Sequence, residues 1–231
     1  MCGRFVSREQ AAIEREYNIR VRQPFERVYN AAPTMTLPVI RRVADVAADS
    51  TELEAVGMRW GLVPSWWSQP TPPTSTINAR SEEAAAKPMW RQAVRSTRAL
   101  IPALGWYEWS VQEGVKQPYF IHAASMAGVC FAGLWSAHRD SEGLEQQSFA
   151  ILTRAASNTL SAVHHRMPVV LPRELFDEWL APWSSEHGAR LATFVARSLE
   201  EFEYYPVSRY VNAPRNQGER CILRAVDAPP G

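Results

Sequence analysis

The chain has 231 residues, 46% hydrophobic and 21% charged, enough for one sizeable core without disulfides or a structural metal. That balance excludes a disordered, collagenous or membrane-embedded chain, and no apolar run approaches the roughly 20 residues of a membrane helix. Twenty-five basic and 24 acidic residues give a formal net charge of +1, so no global field draws in a polyanion and any nucleic-acid site must be a local patch.

In chain order, the first ten residues contain no signal-peptide core, which makes a cytoplasmic address the expectation. Ser7 and Gln10 have capping-box spacing and predict a short helix running to Tyr17. Strands are predicted over 37–43 and 55–62, followed by a Pro/Ser/Thr-rich loop over 64–76 that carries Trp66 and Trp67. A helical pattern over 82–98 breaks at Lys87-Pro88, where the proline restricts its predecessor. The middle of the chain is strand-rich, over 99–110, 118–123, 129–136 and 147–153. Glu113-Gly114, Ala127-Gly128 and Ser141-Glu142-Gly143 mark the turns between these strands. A short helix is expected over 158–164, longer ones over 173–180 and 186–197, a last strand over 207–211 and a loose tail over 226–231. With no internal repeat, no long linker and no regular βαβ alternation, the reading is a single α+β domain spanning 1–231.

Cysteine usage points to a reducing compartment. Cys2, Cys130 and Cys221 are odd in number, far apart and free of any C-x-x-C pairing, which argues against a thiolate zinc site. Of the 25 basic residues only Lys87 and Lys116 are lysines. The arginine excess fits either a GC-rich coding sequence or selection for forked phosphate contacts.

Cys2 is the most informative position. Release of Met1 leaves a free amine and a thiol on one carbon skeleton, with reference pKa values near 8 and 8.5. Such a 1,2-aminothiol condenses with an aldehyde to an imine, which the thiol closes to a thiazolidine; the alternative is an incidental cysteine at position two. Gly3 permits close backbone approach, and Arg4 puts a phosphate anchor beside the nucleophile. Within Trp106-Tyr107-Glu108-Trp109, strand alternation sets Trp106 and Glu108 on one face and Tyr107 and Trp109 on the other. Glu108 is then either a desolvated carboxyl suited to proton transfer near neutrality or a surface glutamate on a strand edge. His164-His165-Arg166-Met167-Pro168 offers a proton shuttle and an anion grip, or ordinary histidines. Adjacent histidines point apart and no H-E-x-x-H occurs, so a metal site is not expected. Asn78-Ala79-Arg80 precedes a helix start, where anions are favoured, although Asn78 also suits a plain turn. Trp66 and Trp67 either stack on nucleobases or pack; Trp60 belongs to the core, Tyr29-Asn30-Ala31-Ala32-Pro33 reads as a turn, and Cys130 and Cys221 as inert small hydrophobes.

Taken in order, Cys2-Gly3-Arg4-Phe5, Tyr29-Asn30-Ala31-Ala32-Pro33, Trp60-Gly61-Leu62-Val63-Pro64 with Trp66-Trp67, Ile77-Asn78-Ala79-Arg80-Ser81-Glu82, Gly105-Trp106-Tyr107-Glu108-Trp109 and His164-His165-Arg166-Met167-Pro168 resemble the SOS response-associated peptidase (SRAP) family of abasic-site shielding proteins. The ordered set, reaching to about Gln217, carries the resemblance. It implies a barrel-like mixed or antiparallel sheet surrounded by helices, and binding of single-stranded or junction DNA. It further implies a covalent thiazolidine between processed Cys2 and the opened abasic deoxyribose, a lyase-like Schiff-base chemistry. Carried over by position, Cys2 is the nucleophile, Asn78 orients the reacting groups, and Glu108 and His164 move protons. Arg4, Arg80 and Arg166 match phosphate-binding positions, and Trp66 and Trp67 match the base-packing loop. The peptidase label covers release of Met1; no cofactor or metal is implied, and a cytoplasmic monomer that joins the nucleoid on damaged DNA is expected. The chain departs from the family at Val211-Asn212-Ala213-Pro214-Arg215-Asn216-Gln217, where paired asparagines are usual and Ala213 and Pro214 stand instead.

Two rival readings follow from the same residues. An N-terminal-nucleophile glutamine amidotransferase also starts Cys-Gly, but the sequence has no Asn-Gly oxyanion element and Arg4 interrupts the apolar strand expected there. A noncovalent single-strand binder would make Cys2 incidental.

Overall fold

The computed structural model describes residues 2–19, 21, 23–43, 52–69, 75–112, 114–124, 126–139 and 142–225. In chain order the strands and α-helices are β1 (Arg4–Ser7), α1 (Gln10–Tyr17), β2 (Thr36–Arg42), β3 (Leu53–Trp60), β4 (Asn78–Arg80), α2 (Ser81–Ala84), α3 (Pro88–Ser96), β5 (Arg98–Gln112), β6 (Val115–His122), β7 (Val129–Arg139), β8 (Glu145–Ala155), β9 (Arg166–Pro168), α4 (Phe176–Leu180), α5 (His187–Ala196) and β10 (Glu203–Pro206).

Five of these strands close on themselves. β5 pairs β2, β2 pairs β3, β3 pairs β8, β8 pairs β7, and β7 returns to β5. Only the β3–β8 contact is parallel, so the barrel is mixed. β1 and β6 extend the sheet from β5, β10 adds to β6, and β4 and β9 add to β8. The near-continuous apolar runs of β5 and β8 follow from burial on both faces. Ala99, Ile101 and Ala103 of β5 and Phe149 and Ile151 of β8 fill the interior, while Leu100, Ala150 and Leu152 face the helices. Phe5 seats the first strand in that interior, its ring 5.0 Å from Trp60 and 5.7 Å from Phe131, both edge-on.

On the outer face, Trp90 and Val94 of α3, Trp179 and Leu180 of α4 and Phe194 of α5 pack over Leu100, Leu134 and Leu152. Arg98, at the start of β5, donates to the carbonyls of Val94, Arg95, Trp179 and Ala181, and its guanidinium sits 4.0 Å from the Trp183 ring. One buried cation thereby caps the C-terminal ends of α3 and α4 and ties both to the barrel. Among the described residues, no helix is long and apolar enough to cross a membrane.

The α+β class and the barrel-like sheet match the expectation, as does the helix break at Pro88, which opens α3. Two local readings are corrected. Ser7 is no N-cap: it ends β1, opposite Ala103, and its hydroxyl accepts from the Val28 amide at 2.9 Å. Helix α1 therefore starts at Gln10 behind Glu9, with no side-chain cap; strand pairing outweighs the capping preference. The last strand lies at Glu203–Pro206 rather than over 207–211, because β6 supplies its partner edge from Tyr119 to His122. Beyond it, the Ser208 side chain accepts from the Tyr210 amide and opens a 3-10 turn over Arg209–Asn212. The expected tail over 226–231, and Glu113 and Ser141 of the turn signals, lie outside the described residues.

Candidate active site

The β1–β5 ladder determines where the chain's start goes. Arg4 pairs with Tyr107 and Phe5 with Trp106, so in the same direction Gly3 and Cys2 run alongside Glu108 and Trp109. β1 slips register between Val6 and Ser7, with Val6 opposite Gly105. A Cβ on Gly105 would lie 2.4 Å from the Ile121 carbonyl oxygen, so glycine lets β5 and β6 crowd together where β1 pairs with β5. Cys2 is fully buried among the barrel's interior residues. Asn78, the first residue of β4, donates from Nδ2 to the Cys2 carbonyl at 2.7 Å. Its Oδ1 is buried with no partner among the described residues, as are Trp106 Nε1 and Arg166 Nε. One donor and one acceptor are thus held in reserve at Trp106, which pairs with Phe5, and at Asn78, which holds Cys2.

Electrostatics here favour neutral forms. Glu108 is 4% exposed, and burial pushes its carboxyl up to about 7, against the opposing pull of the amino-terminal charge. Burial also raises the Cys2 thiol well above its ordinary value, and the nearby Glu108 adds to that rise. His164 is half-buried behind a 3-10 turn (Leu160–Ala162), its amide donating to the Leu160 carbonyl at 3.0 Å. Burial lowers its pKa, and the amino-terminal charge lowers it further. His164 Nδ1 lies 3.9 Å from Glu108 Oε1. A carboxyl near pH 7 beside an imidazole forms a pair able to give and take protons at neutral pH. Cys2, Asn78, Glu108 and His164 therefore meet in one place, from four separate parts of the chain.

The three arginines singled out by sequence occupy different situations. Arg4 donates to Asn30 Oδ1 at 2.7 Å, the Val211 carbonyl at 3.0 Å and the Asn212 carbonyl at 3.3 Å. Arg166 forks onto both carboxylate oxygens of Glu82, at 2.7 and 2.9 Å, and donates to the Thr153 carbonyl at 2.8 Å. Arg80 is exposed. Trp66 is 54% exposed, its ring 5.7 Å from that of Trp67. Trp66 borders a cavity of about 260 Å³ with Met89, Gln92 and Trp135, and the described contacts do not join these tryptophans to Cys2.

Other residues were not singled out as site residues by sequence. Asn30, read only as part of a turn, is buried at the centre of the C-terminal loop; its amide nitrogen faces the carbonyls of Val211, Ala213 and Asn216 at 3.0 Å each. Gln217 returns two bonds to the Asn30 backbone. The divergent loop thus acts as a strap over Arg4, through backbone carbonyls that no side chain reveals. An open cavity of about 410 Å³ is lined by Gly3, Arg4, Trp109, Lys116 and Asn212. The Lys116 ammonium lies 5.7 Å from the Trp109 ring, and Trp109 Nε1 donates to Asn212 Oδ1 at 2.8 Å. The hairpin signal could have found Lys116, since the β5–β6 pairing sets it opposite Val111, two residues beyond Trp109.

A family model described as SOS response associated peptidase (SRAP) matches residues 1–214. Relatives include the abasic site processing protein YedK of Escherichia coli (strain K12), 32% identical over 234 residues, covering 96% of this chain and 99% of that protein. The abasic site processing protein YoqW of Bacillus subtilis (strain 168) is 30% identical over 227 residues, with 96% and 99% covered. The abasic site processing protein HMCES of Gallus gallus is 32% identical over 225 residues, covering 84% of this chain but only 65% of its own length. Among solved structures, a protein from Bacteroides thetaiotaomicron superposes with a TM-score of 0.81 at 22% identity, covering 98% of this chain and all of its own, a likeness of fold. A phage-related protein from Bordetella bronchiseptica superposes with a TM-score of 0.71 at 30% identity, covering 94% of this chain and all of its own.

Proposed function

The chain belongs to the SOS response associated peptidase family, and we propose that it processes abasic sites in DNA by covalent capture on Cys2. The observation that carries this reading is the meeting of Cys2, held through its carbonyl by Asn78 at 2.7 Å, with a buried Glu108 whose pKa stands at about 7. Release of Met1 by hydrolysis comes first, because the Cys2 nitrogen is otherwise an amide and not a nucleophile.

The abasic sugar rests mainly as a closed hemiacetal. Neutral His164 takes the anomeric hydroxyl proton while protonated Glu108 supplies one to the ring oxygen, and the ring bond breaks to leave an aldehyde and an alcohol. The Cys2 amine adds to the aldehyde carbon, and the carbinolamine, protonated on its hydroxyl, loses water to give the imine. The thiol sulfur then bonds to the same carbon while its proton passes to the imine nitrogen, closing the thiazolidine. The net change is one water released, with no redox partner. Reversal follows the same steps backwards, which a Glu108 near neutrality serves in both directions.

No base remains at the lesion, so affinity rests on phosphates and flanking stacks and falls with salt. Exposed Arg80, Lys116 beside Trp109, and Trp66 support single-stranded or junction DNA as the partner. The test is to incubate Met1-free protein, verified by intact mass, with an oligonucleotide carrying one abasic site and resolve it on a denaturing gel. A heat-stable shifted band absent with Cys2→Ala is the expected result. No shift with fully processed protein overturns covalent capture and leaves noncovalent binding.

A further inference from the structure

The Glu82–Arg166 pair has no part in the steps above, yet it joins two arms of the site. Asn78 opens β4, whose three residues run directly into α2 with Glu82 as its second residue. The segment from Asn78 to Glu82 is therefore one short, stiff unit, with the Cys2-holding amide at one end and a carboxylate at the other. On the opposite arm, Arg166 opens β9, a three-residue strand attached to the end of β8 through Ala155. The Arg166 side chain is only 10% exposed although its partner Glu82 is 51% exposed. Its fork takes both Glu82 oxygens while one nitrogen also reaches the Thr153 carbonyl, opposite Arg80 in the β4–β8 ladder.

The backbone of Arg166 in turn holds His164. Its N–H lies 3.0 Å from His164 Nδ1 and its carbonyl oxygen 3.1 Å from the same nitrogen. A bare Nδ1 accepts from the N–H, and a protonated Nδ1 donates to the carbonyl. The ring thus keeps its place in both protonation states, as long as the Arg166 backbone stays where it is. A shift there changes the 3.9 Å separation of His164 Nδ1 from Glu108 Oε1.

We propose that Glu82 is a positioning residue: by clamping Arg166 it locks the His164-bearing strand to the segment that carries Asn78, and the clamp stays closed when DNA is bound. The proposal rests on the covalent-capture reading. The clamp does not displace the family-derived expectation for Arg166, since its Nε has no partner among the described residues and keeps the capacity to donate to a phosphate. Arg166 ordinarily holds the Glu82 carboxyl below the usual carboxylate range, consistent with an ionised pair at neutral pH.

The experiment separates binding from chemistry. Processed wild type, Glu82→Gln, Glu82→Asp, Arg166→Gln and the Glu82→Gln/Arg166→Gln double variant are compared, after thermal melts confirm folding. Affinity is read by anisotropy on an oligonucleotide with a tetrahydrofuran abasic analogue, which has no aldehyde; the single-turnover crosslinking rate is read with a true abasic site. We expect Glu82→Gln to bind the analogue within about twofold of wild type yet to crosslink about tenfold more slowly, short of the roughly hundredfold loss for an ångström of misplacement. Glu82→Asp, which keeps the charge, recovers part of the rate, and the double variant is no slower than the slower single one. Tighter DNA binding by Glu82→Gln, an unchanged rate, or multiplicative losses in the double variant would each overturn the proposal. Absence of crosslinking by wild type removes the capture reading and this proposal together, whereas a crosslinking wild type with an indifferent Glu82→Gln removes this proposal alone.

Discussion

Replacing Glu108 by glutamine should stabilise the protein at alkaline pH while disabling it. The carboxyl is 4% exposed and stands at about 7 rather than the ordinary 4.5, a difference worth about 3 kcal/mol between its two protonation states. In the unfolded chain the group ionises near 4.5, whereas in the folded chain it holds its proton until about 7. The folded state therefore binds more protons between these values, and stability falls as pH rises through that window. Below pH 4.5 both states are protonated at this group and it contributes no difference; above 7 the full penalty is present. Glutamine has the same shape and no charge, so its advantage over wild type should grow from near zero at pH 4.5 to as much as about 3 kcal/mol at pH 8. At roughly 2–4 °C per kcal/mol for a chain this size, that is a Tm gain of about 6–12 °C. The same variant should lose about 10²–10⁴-fold in crosslinking rate, the usual contribution of a positioned proton donor or acceptor. The assays are calorimetric melts from pH 4.5 to 8 and the denaturing gel. Parallel Tm curves for the two proteins would show that burial does not perturb this carboxyl, and crosslinking at wild-type rate would remove it from the chemistry.

Two further substitutions test the frame and the DNA surface. Gly105→Ala drives a methyl to 2.4 Å from the Ile121 carbonyl oxygen, backbone that cannot swing aside. It should destabilise by at least about 2 kcal/mol in urea melts; a change within error would mean that the β5–β6 contact has slack. Arg80→Ala should weaken binding to the abasic analogue and reduce the slope of log affinity against log salt by about 0.7, the value for one phosphate contact on a single strand. An unchanged slope would place Arg80 outside the DNA path.

What the sequence disclosed depended on how local the determining forces were. β5 and β8 are long enough for their apolar runs to be read directly, and Glu108 stands out because alternation puts it with Trp106 on the inward face of β5. The three-residue strands β4 and β9 are too short for any periodicity, yet they carry Asn78 and Arg166. Closure of the barrel was legible only through family resemblance, since the parallel β3–β8 contact joins Arg59 to Ser148 and Trp60 to Phe149. The arginines show the same limit more sharply. Arg4 finds its carbonyl partner Val211 across 207 positions and Arg166 its carboxylate partner Glu82 across 84. Whether a guanidinium is available for phosphate is decided by such remote partners, so three arginines that look alike in sequence differ in the fold.

A nucleophile at the start of a chain faces a conflict, because terminal residues fray while the reaction requires bond-forming distances to be held. Here the terminus is restrained from three sides: the β1–β5 ladder, the Asn78 bond to the Cys2 carbonyl, and the Arg4 side chain strapped to Asn30 and Val211. The raised thiol pKa then has a use under the proposed chemistry. A thiol kept as S–H is a poor target for stray oxidants and disulfides, and it brings its own proton to the imine nitrogen as the ring closes. The amine, rather than the sulfur, must therefore make the first bond, and a lesion lacking a free aldehyde should bind without ever becoming attached.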